Sequence, residues 1–269
     1  MTSIVTYASK KGRRKTMEDV MDFAVLPGER LAMVVCDGHG GHQAARYLCK
    51  ELMYSLKHMH EMDWDVDVHI QRITRDWNDK CVEMLRGTKY PTNTAERQAL
   101  FQSKHLAEYT ERGYSSGSTL IMTLIDPKKK CGKVWNIGDS KAMYKNFGDR
   151  QRARGTRAHA PNEHDLGVLG GTVEKVDGES IYRVNGELAV GRAFGDNTEK
   201  LMGSIKHEST CREFKWDSGM FRMVLATDGV TDVISVSKAL TYECANKLVC
   251  EAIRNNTNDN VTAGIITIR

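Results

Sequence analysis

Four times in this chain an apolar run stops at an aspartate with a glycine beside it: Leu31–Cys36 before Asp37-Gly38, Lys133–Ile137 before Gly138-Asp139, Leu188–Phe194 before Gly195-Asp196, and Arg222–Thr227 before Asp228-Gly229. An unbroken apolar run of this length reads as a buried strand, and the acid-glycine pair marks the point where strand gives way to loop. Asp232, Asp259 and, after the first basic turn, Glu18 add acids near further element ends. An aspartate beside a glycine is also an ordinary turn pair. Repetition makes the difference, because carboxylates gathered at one edge of a sheet repel one another unless cations lie among them.

The rest of the chain is that of one globular domain. Its 269 residues, 40% apolar and 28% charged with four prolines, can bury a core without staples. No run approaches the roughly 20 apolar residues that span a bilayer, and the amino terminus lacks a signal-peptide pattern. Seven cysteines without a C-x-x-C pair fit reduced thiols, so a cytoplasmic (also nuclear) location is expected. The net charge is only +4, yet Lys10, Lys11, Arg13, Arg14 and Lys15 crowd one turn. With no aromatic residues interleaved as stacking platforms, that turn is not expected to bind nucleic acid.

Periodicity predicts helices over Gln43–His60 and residues 66 to 86, a short one over Ala95–Tyr109, and another over Val236–Asn255 with Leu240, Cys244, Leu248 and Ala252 on one face. Strands are predicted over Ile4–Tyr7, Phe23–Leu26, Leu31–Cys36 and Val261–Ile268. Gly117–Ile125, Lys133–Ile137 and Ala142–Tyr144 read as three successive antiparallel strands, and Leu188–Phe194 as a short element. Glycines leave residues 150 to 190 with little periodicity, and an irregular flap is expected at about 160–190. Strands in adjacent runs and helices in pairs define an α+β class.

All-oxygen ligands suit Mg²⁺ or Mn²⁺ better than zinc, although His39 and His42 could form a small zinc pair. Two such ions about 3.5–4 Å apart activate a water and clamp a phosphoryl group. Arg14 is a candidate phosphate fork and His39 a proton donor near neutral pH. No Cys-x₅-Arg, P-loop or H-E-x-x-H sequence offers a competing chemistry.

Together, Arg14-x-x-Met17-Glu18-Asp19, Asp37-Gly38-His39-Gly40-Gly41, Gly117-Ser118-Thr119, Gly138-Asp139-Ser140, Arg183-Val184-Asn185-Gly186, Arg192-Ala193-Phe194-Gly195-Asp196, Asp228-Gly229-x-x-Asp232 and Asp259-Asn260 occur in the order seen in metal-dependent protein phosphatases of the PPM, or type 2C, family. The chain resembles that family from about Thr6 to its last strand. The resemblance implies one catalytic domain over 1–269, in which two antiparallel β-sheets pack as a sandwich flanked by helices on both sides (αββα). It implies two Mg²⁺ or Mn²⁺ ions bridged by Asp37, with Glu18 and the Gly38 carbonyl on one and Asp228 and Asp259 on the other. A third, weaker ion would take Asp139, Asp228 and Asp232. Arg14 would hold the phosphate, His39 would protonate the leaving oxygen, and a metal-bound hydroxide would attack phosphoserine or phosphothreonine without a phosphoenzyme. Phosphoproteins are the implied partners, with no membrane partner, and a monomer is expected. The chain departs from the family at Ala158-His159-Ala160-Pro161, where an Asp-His-Lys-Pro run is usual, and in a short segment from Pro161 to Gly170. That departure motivates the alternative of a catalytically weak pseudophosphatase that sequesters phosphoproteins.

Overall fold

The computed structural model describes residues 1–58, 66–85, 93–102, 106–148, 153–161, 171–175 and 181–269. Parts of the flap predicted at 160–190, namely 162–170 and 176–180, lie outside the described residues. Two five-stranded antiparallel sheets form the centre. One has the order β13-β7-β6-β3-β2, comprising β2 (Val20–Leu26), β3 (Arg30–Cys36), β6 (Leu120–Asp126), β7 (Cys131–Ile137) and β13 (Thr210–Lys215). The other has the order β1-β15-β14-β8-β9, comprising β1 (Ser3–Lys10), β8 (Lys141–Asn146), β9 (Arg154–Gly155), β14 (Phe221–Ala226) and β15 (Val261–Ile268).

The apolar runs are explained by strands buried on both faces. In β3, Leu31, Met33 and Val35 point between the sheets, where they meet Met223, Leu225 and Ile266. Ala32, Val34 and Cys36 point the other way, onto α1 (Gln43–His58) and α2 (Val66–Met84). Strand β14 repeats this with Phe221, Met223 and Leu225 inward and Val224 and Ala226 outward. Side chains alternate across a strand, so both faces of these two strands are covered and, in β14, Arg222 is the one polar side chain, buried on the outward face. The outer helices complete four layers, α on β on β on α, as the resemblance implies. Two short helices, α3 (Thr94–Phe101) and α4 (Leu106–Glu111), replace the one predicted between Ala95 and Tyr109.

Two predictions fail for physical reasons, and a third element is shorter than expected. Strands β6 and β7 pair as expected, with Leu120 opposite Ile137. However, β8 leaves their sheet and pairs with β14, Tyr144 opposite Met223. The free edge of β7 is taken by β13, with Asn136 opposite Thr210, so the chain must cross to the other sheet at Gly138-Asp139. The predicted helix over Val236–Asn255 is broken. It forms α6 (Val236–Ala239) and α7 (Ala245–Arg254), after a short α5 (Asp228–Thr231). The buried Arg222 takes the Leu240 carbonyl through Nη1 at 3.0 Å, and Thr6 Oγ1 accepts the Ala245 N–H at 3.0 Å. A continuous helix would need both groups for itself. The predicted element over Leu188–Phe194 shrinks to a bridge at Leu188 and the two-residue β12 (Phe194–Gly195).

Arg222→Met strips the Leu240 carbonyl of its partner and is expected to cost about 1–3 kcal/mol. A lower urea midpoint with an unchanged m-value checks it.

Candidate metal centre

The topology brings strand ends of both sheets to one place. β2 starts beside the end of β3, with Val20 opposite Cys36, so Glu18 and Asp19 enter where Asp37 leaves. In the other sheet β14 ends beside the start of β15, with Ala226 opposite Ala263, so Asp228 leaves where Asp259 enters. The crossover at Gly138 delivers Asp139 between them. Carboxylate oxygens of Asp37, Asp139 and Asp228 lie within 4.8 Å of one another. A cavity of about 540 Å³ opens over them and is also lined by Arg14, Glu18, Gly38, His39 and Asp259. Asp232 stands apart from this lining, as the exposed C-cap of α5.

Hydrogen bonds from both sheets set the backbone here. The Asp37 carbonyl accepts the Thr119 N–H at 2.9 Å and the Ser118 hydroxyl at 3.2 Å, and the Asp37 N–H donates to Thr119 Oγ1 at 3.2 Å. Asn260 accepts the Glu18 N–H at 2.8 Å and donates to the carbonyls of Lys11 and Thr16 at 2.8 and 2.9 Å. Gly229 lies so close to the Asn260 carbonyl that a Cβ there would overlap it, so this position is closed to any side chain. His159 pins the Asp139 turn from below. Its N–H donates to the Gly138 carbonyl at 2.9 Å and its Nδ1 accepts the Gly138 N–H at 3.1 Å. Ala158 and Ala160 thus flank a histidine that keeps its tie to the site.

The electrostatics are those of crowded, buried acids. Burial first, then the charges of Asp19, Asp228 and Asp139, push the Asp37 carboxyl well above the usual range. Burial, with Asp139, Asp259 and Asp232 around it, lifts Asp228 from 3.8 to about 7. Burial also lifts Asp139. Oδ1 of Asp228 is buried without a hydrogen-bond partner. An orphaned carboxylate oxygen facing other carboxylates fits a hard divalent cation, for which oxygen donors of this kind are the natural ligands.

Arg14 donates from Nη2 to Asp259 Oδ2 at 2.5 Å while its side chain stays 57% exposed at the rim. His39 Nε2 lies 2.7 Å from Asp196 Oδ1. Burial pulls the His39 pKa down, but the charge and hydrogen bond of Asp196, aided by Asp139 and Glu18, leave it raised. Sequence reasoning assigned no role to Asp19. It is buried, accepts the Thr227 hydroxyl at 3.1 Å, and has a second oxygen with no partner. Burial lifts its pKa from 3.8 to about 6. Its place directly after Glu18 was the available signal.

A family model described as Protein phosphatase 2C matches residues 6–261. Probable protein phosphatase 2C 59 of Oryza sativa subsp. japonica is 28% identical over 276 residues, covering 97% of this chain and 74% of that protein. The solved structure of serine/threonine phosphatase Stp1 from Staphylococcus aureus superposes with a TM-score of 0.68 at 18% identity, covering 100% of this chain and 96% of that one. A C. elegans sex determining protein gives 0.73 at 22% identity, covering 99% of this chain and 65% of that one. The chain belongs to the protein phosphatase 2C family and is a protein serine/threonine phosphatase.

The folded, metal-free protein holds more protons on Asp228 than the unfolded chain does. Its stability contribution is therefore present below about 4 and is lost as pH rises through about 7. Asp228→Asn is expected to raise the metal-free melting temperature at pH 8 and to remove most of the gain that Mn²⁺ gives the wild type. Thermal melts with chelator and with Mn²⁺ check both. A lower metal-free melting temperature would mean that the carboxylates do not repel.

Proposed function

We propose that the chain hydrolyses phosphoserine and phosphothreonine monoesters of proteins using two Mg²⁺ or Mn²⁺ ions. Glu18, Asp37, the Gly38 carbonyl, Asp228 and Asp259 would hold them, and Asp139, Asp228 and Asp232 would hold a weaker third. One observation carries this reading: Asp37, Asp139 and Asp228 are packed together in a cavity with a carboxylate oxygen left unpartnered. The chemistry such ions supply when bound is Lewis acidity, which lowers the pKa of water and offsets the charge of the phosphate.

The chain's own residues do the rest. Asp37 and Asp228, carried on strand ends of the two sheets, would hold the cations that in turn bind the phosphate. Arg14, exposed at the rim beside Asp259, supplies a planar donor fork for the phosphate oxygens. His39 faces the same cavity and delivers a proton to the serine or threonine oxygen as it leaves. Lys10, Lys11, Arg13 and Lys15, on the same turn as Arg14, are exposed to solvent.

Release of phosphate from a phosphothreonine peptide is expected with Mn²⁺ and is expected to fall to background with chelator; equal rates in the two would refute the reading. Binding of the phosphopeptide without turnover in Mn²⁺ would favour a sequestering protein. Arg14→Ala is expected to raise KM for the peptide about 10- to 100-fold, the loss of one charge-assisted contact. Steady-state kinetics on the two proteins measure it.

A further inference from the structure

Besides its two large sheets, the fold contains a small one. It consists of β4 (Gly38–His39), β5 (Gly117–Ser118) and β12, in the order β12-β5-β4. The middle strand pairs Gly117 with His39 on one side and with Gly195 on the other. That register sets His39 and Asp196, the residue after Gly195, above the same glycine. A Cβ on Gly117 would overlap both His39 Nε2 and Asp196 Oδ2. Glycine is thus required by the ion pair that crosses over it.

Asp196 itself is held in an unusual way. It is 2% exposed, and its φ of +57° lies in the left-handed region that non-glycine residues seldom adopt. Its Oδ1 meets His39 at 2.7 Å, while its Oδ2 is buried with no hydrogen-bond partner. A carboxylate kept in so unfavourable a place, with the histidine as the one side chain it bonds among the described residues, points to a role in what that histidine does.

We propose that Asp196 is a positioning residue for the cleavage of phosphate esters here, fixing the His39 ring with Nε2 on the carboxylate so that Nδ1 is the atom that serves the substrate. The proposal rests on the hydrolytic reading above. A carboxylate can only accept, so the Nε2 proton stays on the ring and Nδ1–H is the proton that moves. As the bond from phosphorus to the serine or threonine oxygen breaks, its electron pair goes to that oxygen and the Nδ1 proton follows. Water supplies the new phosphate oxygen, keeping one of its protons on the product and releasing the other to solvent. The ring is left neutral with its proton on Nε2 and regains the other from solvent. An alkoxide leaves poorly without a proton, whereas nitrophenolate needs none, so the arrangement matters for protein substrates and little for aryl phosphates.

Wild type, Asp196→Asn, His39→Asn and the double variant are assayed with Mn²⁺ on a phosphothreonine peptide and on 4-nitrophenyl phosphate. Asp196→Asn is expected to lose about 100-fold in kcat on the peptide and at most about threefold on the aryl ester, with the double variant no worse than His39→Asn alone. Equal losses on both substrates, or losses that multiply in the double variant, would overturn the proposal. A wild type that hydrolyses neither substrate would instead sink the hydrolytic reading. If Asp196→Asn does not fold, the wild type decides by ¹⁵N NMR. A downfield, slowly exchanging His39 Nε2–H supports the proposal, and a ring protonated on Nδ1 alone overturns it.

Discussion

The repulsion among buried carboxylates at one end of the sandwich is the constraint around which this structure is arranged. Asp37, Asp139 and Asp228 belong to strand ends and a crossover that come from different sheets; Asp139 and Asp228 raise the cost of ionising Asp37, and Asp139 raises that of Asp228. Nothing in a hydrophobic sandwich favours such a gathering, so bonds that span the two sheets must hold it. Thr227, at the end of β14, donates to Asp19 at the start of β2, and Asn260, before β15, accepts the Glu18 N–H. These two ties cross from one sheet to the other within a few residues of the acids. The inter-sheet core of Met33, Val35, Met223, Leu225 and Ile266 supplies the rigidity that lets short polar bonds carry this load.

How much of this could be read from the chain depends on whether the cause is local. The run Leu31–Cys36 declares a strand buried twice over, because alternation puts Ala32, Val34 and Cys36 against helices and Leu31, Met33 and Val35 against a second sheet. Strand β13 has no such signature. Of its six residues only Phe214 is buried, so its sequence, Thr-Cys-Arg-Glu-Phe-Lys, shows no apolar alternation, and its existence follows from an available edge on β7. The move of β8 to the other sheet depends on that same occupied edge. The break after Leu240 is likewise nonlocal: the helical spacing runs on through Cys244 and Leu248, but an arginine eighteen positions earlier claims the carbonyl.

The site divides along the same line. Residue type and neighbour mark Asp37, Asp139 and Asp228 as strand-end acids, and the motif spacing adds Glu18 and Asp259. What spacing cannot show is how deeply each acid is set. Asp232 follows Asp228 by one turn and is exposed, whereas Asp19, one residue from Glu18, is buried against Thr227. Arg14 could be read as a phosphate fork from its chemistry, but its pairing with Asp259, 245 residues away in the chain, appears only once β1 and β15 are placed side by side.

Placing the acids on the large sheets and the proton donor on a separate three-stranded one has a mechanical consequence. The acids must tolerate mutual repulsion, and they sit next to strands whose side chains fill the core between the sheets, so a shift in one strand would have to drag that core along. His39 needs a fixed ring orientation rather than a fixed distance to four other charges, and a small sheet with a glycine at its centre is sufficient for that. Asp37 and His39, two residues apart, therefore answer to different supports: Asp37 to the hydroxyls and amide of Ser118 and Thr119, His39 to Asp196 across Gly117. Strand β5 and the residue after it touch both, and among the described residues the three consecutive positions Gly117, Ser118 and Thr119 couple the position of Asp37 to the orientation of the imidazole.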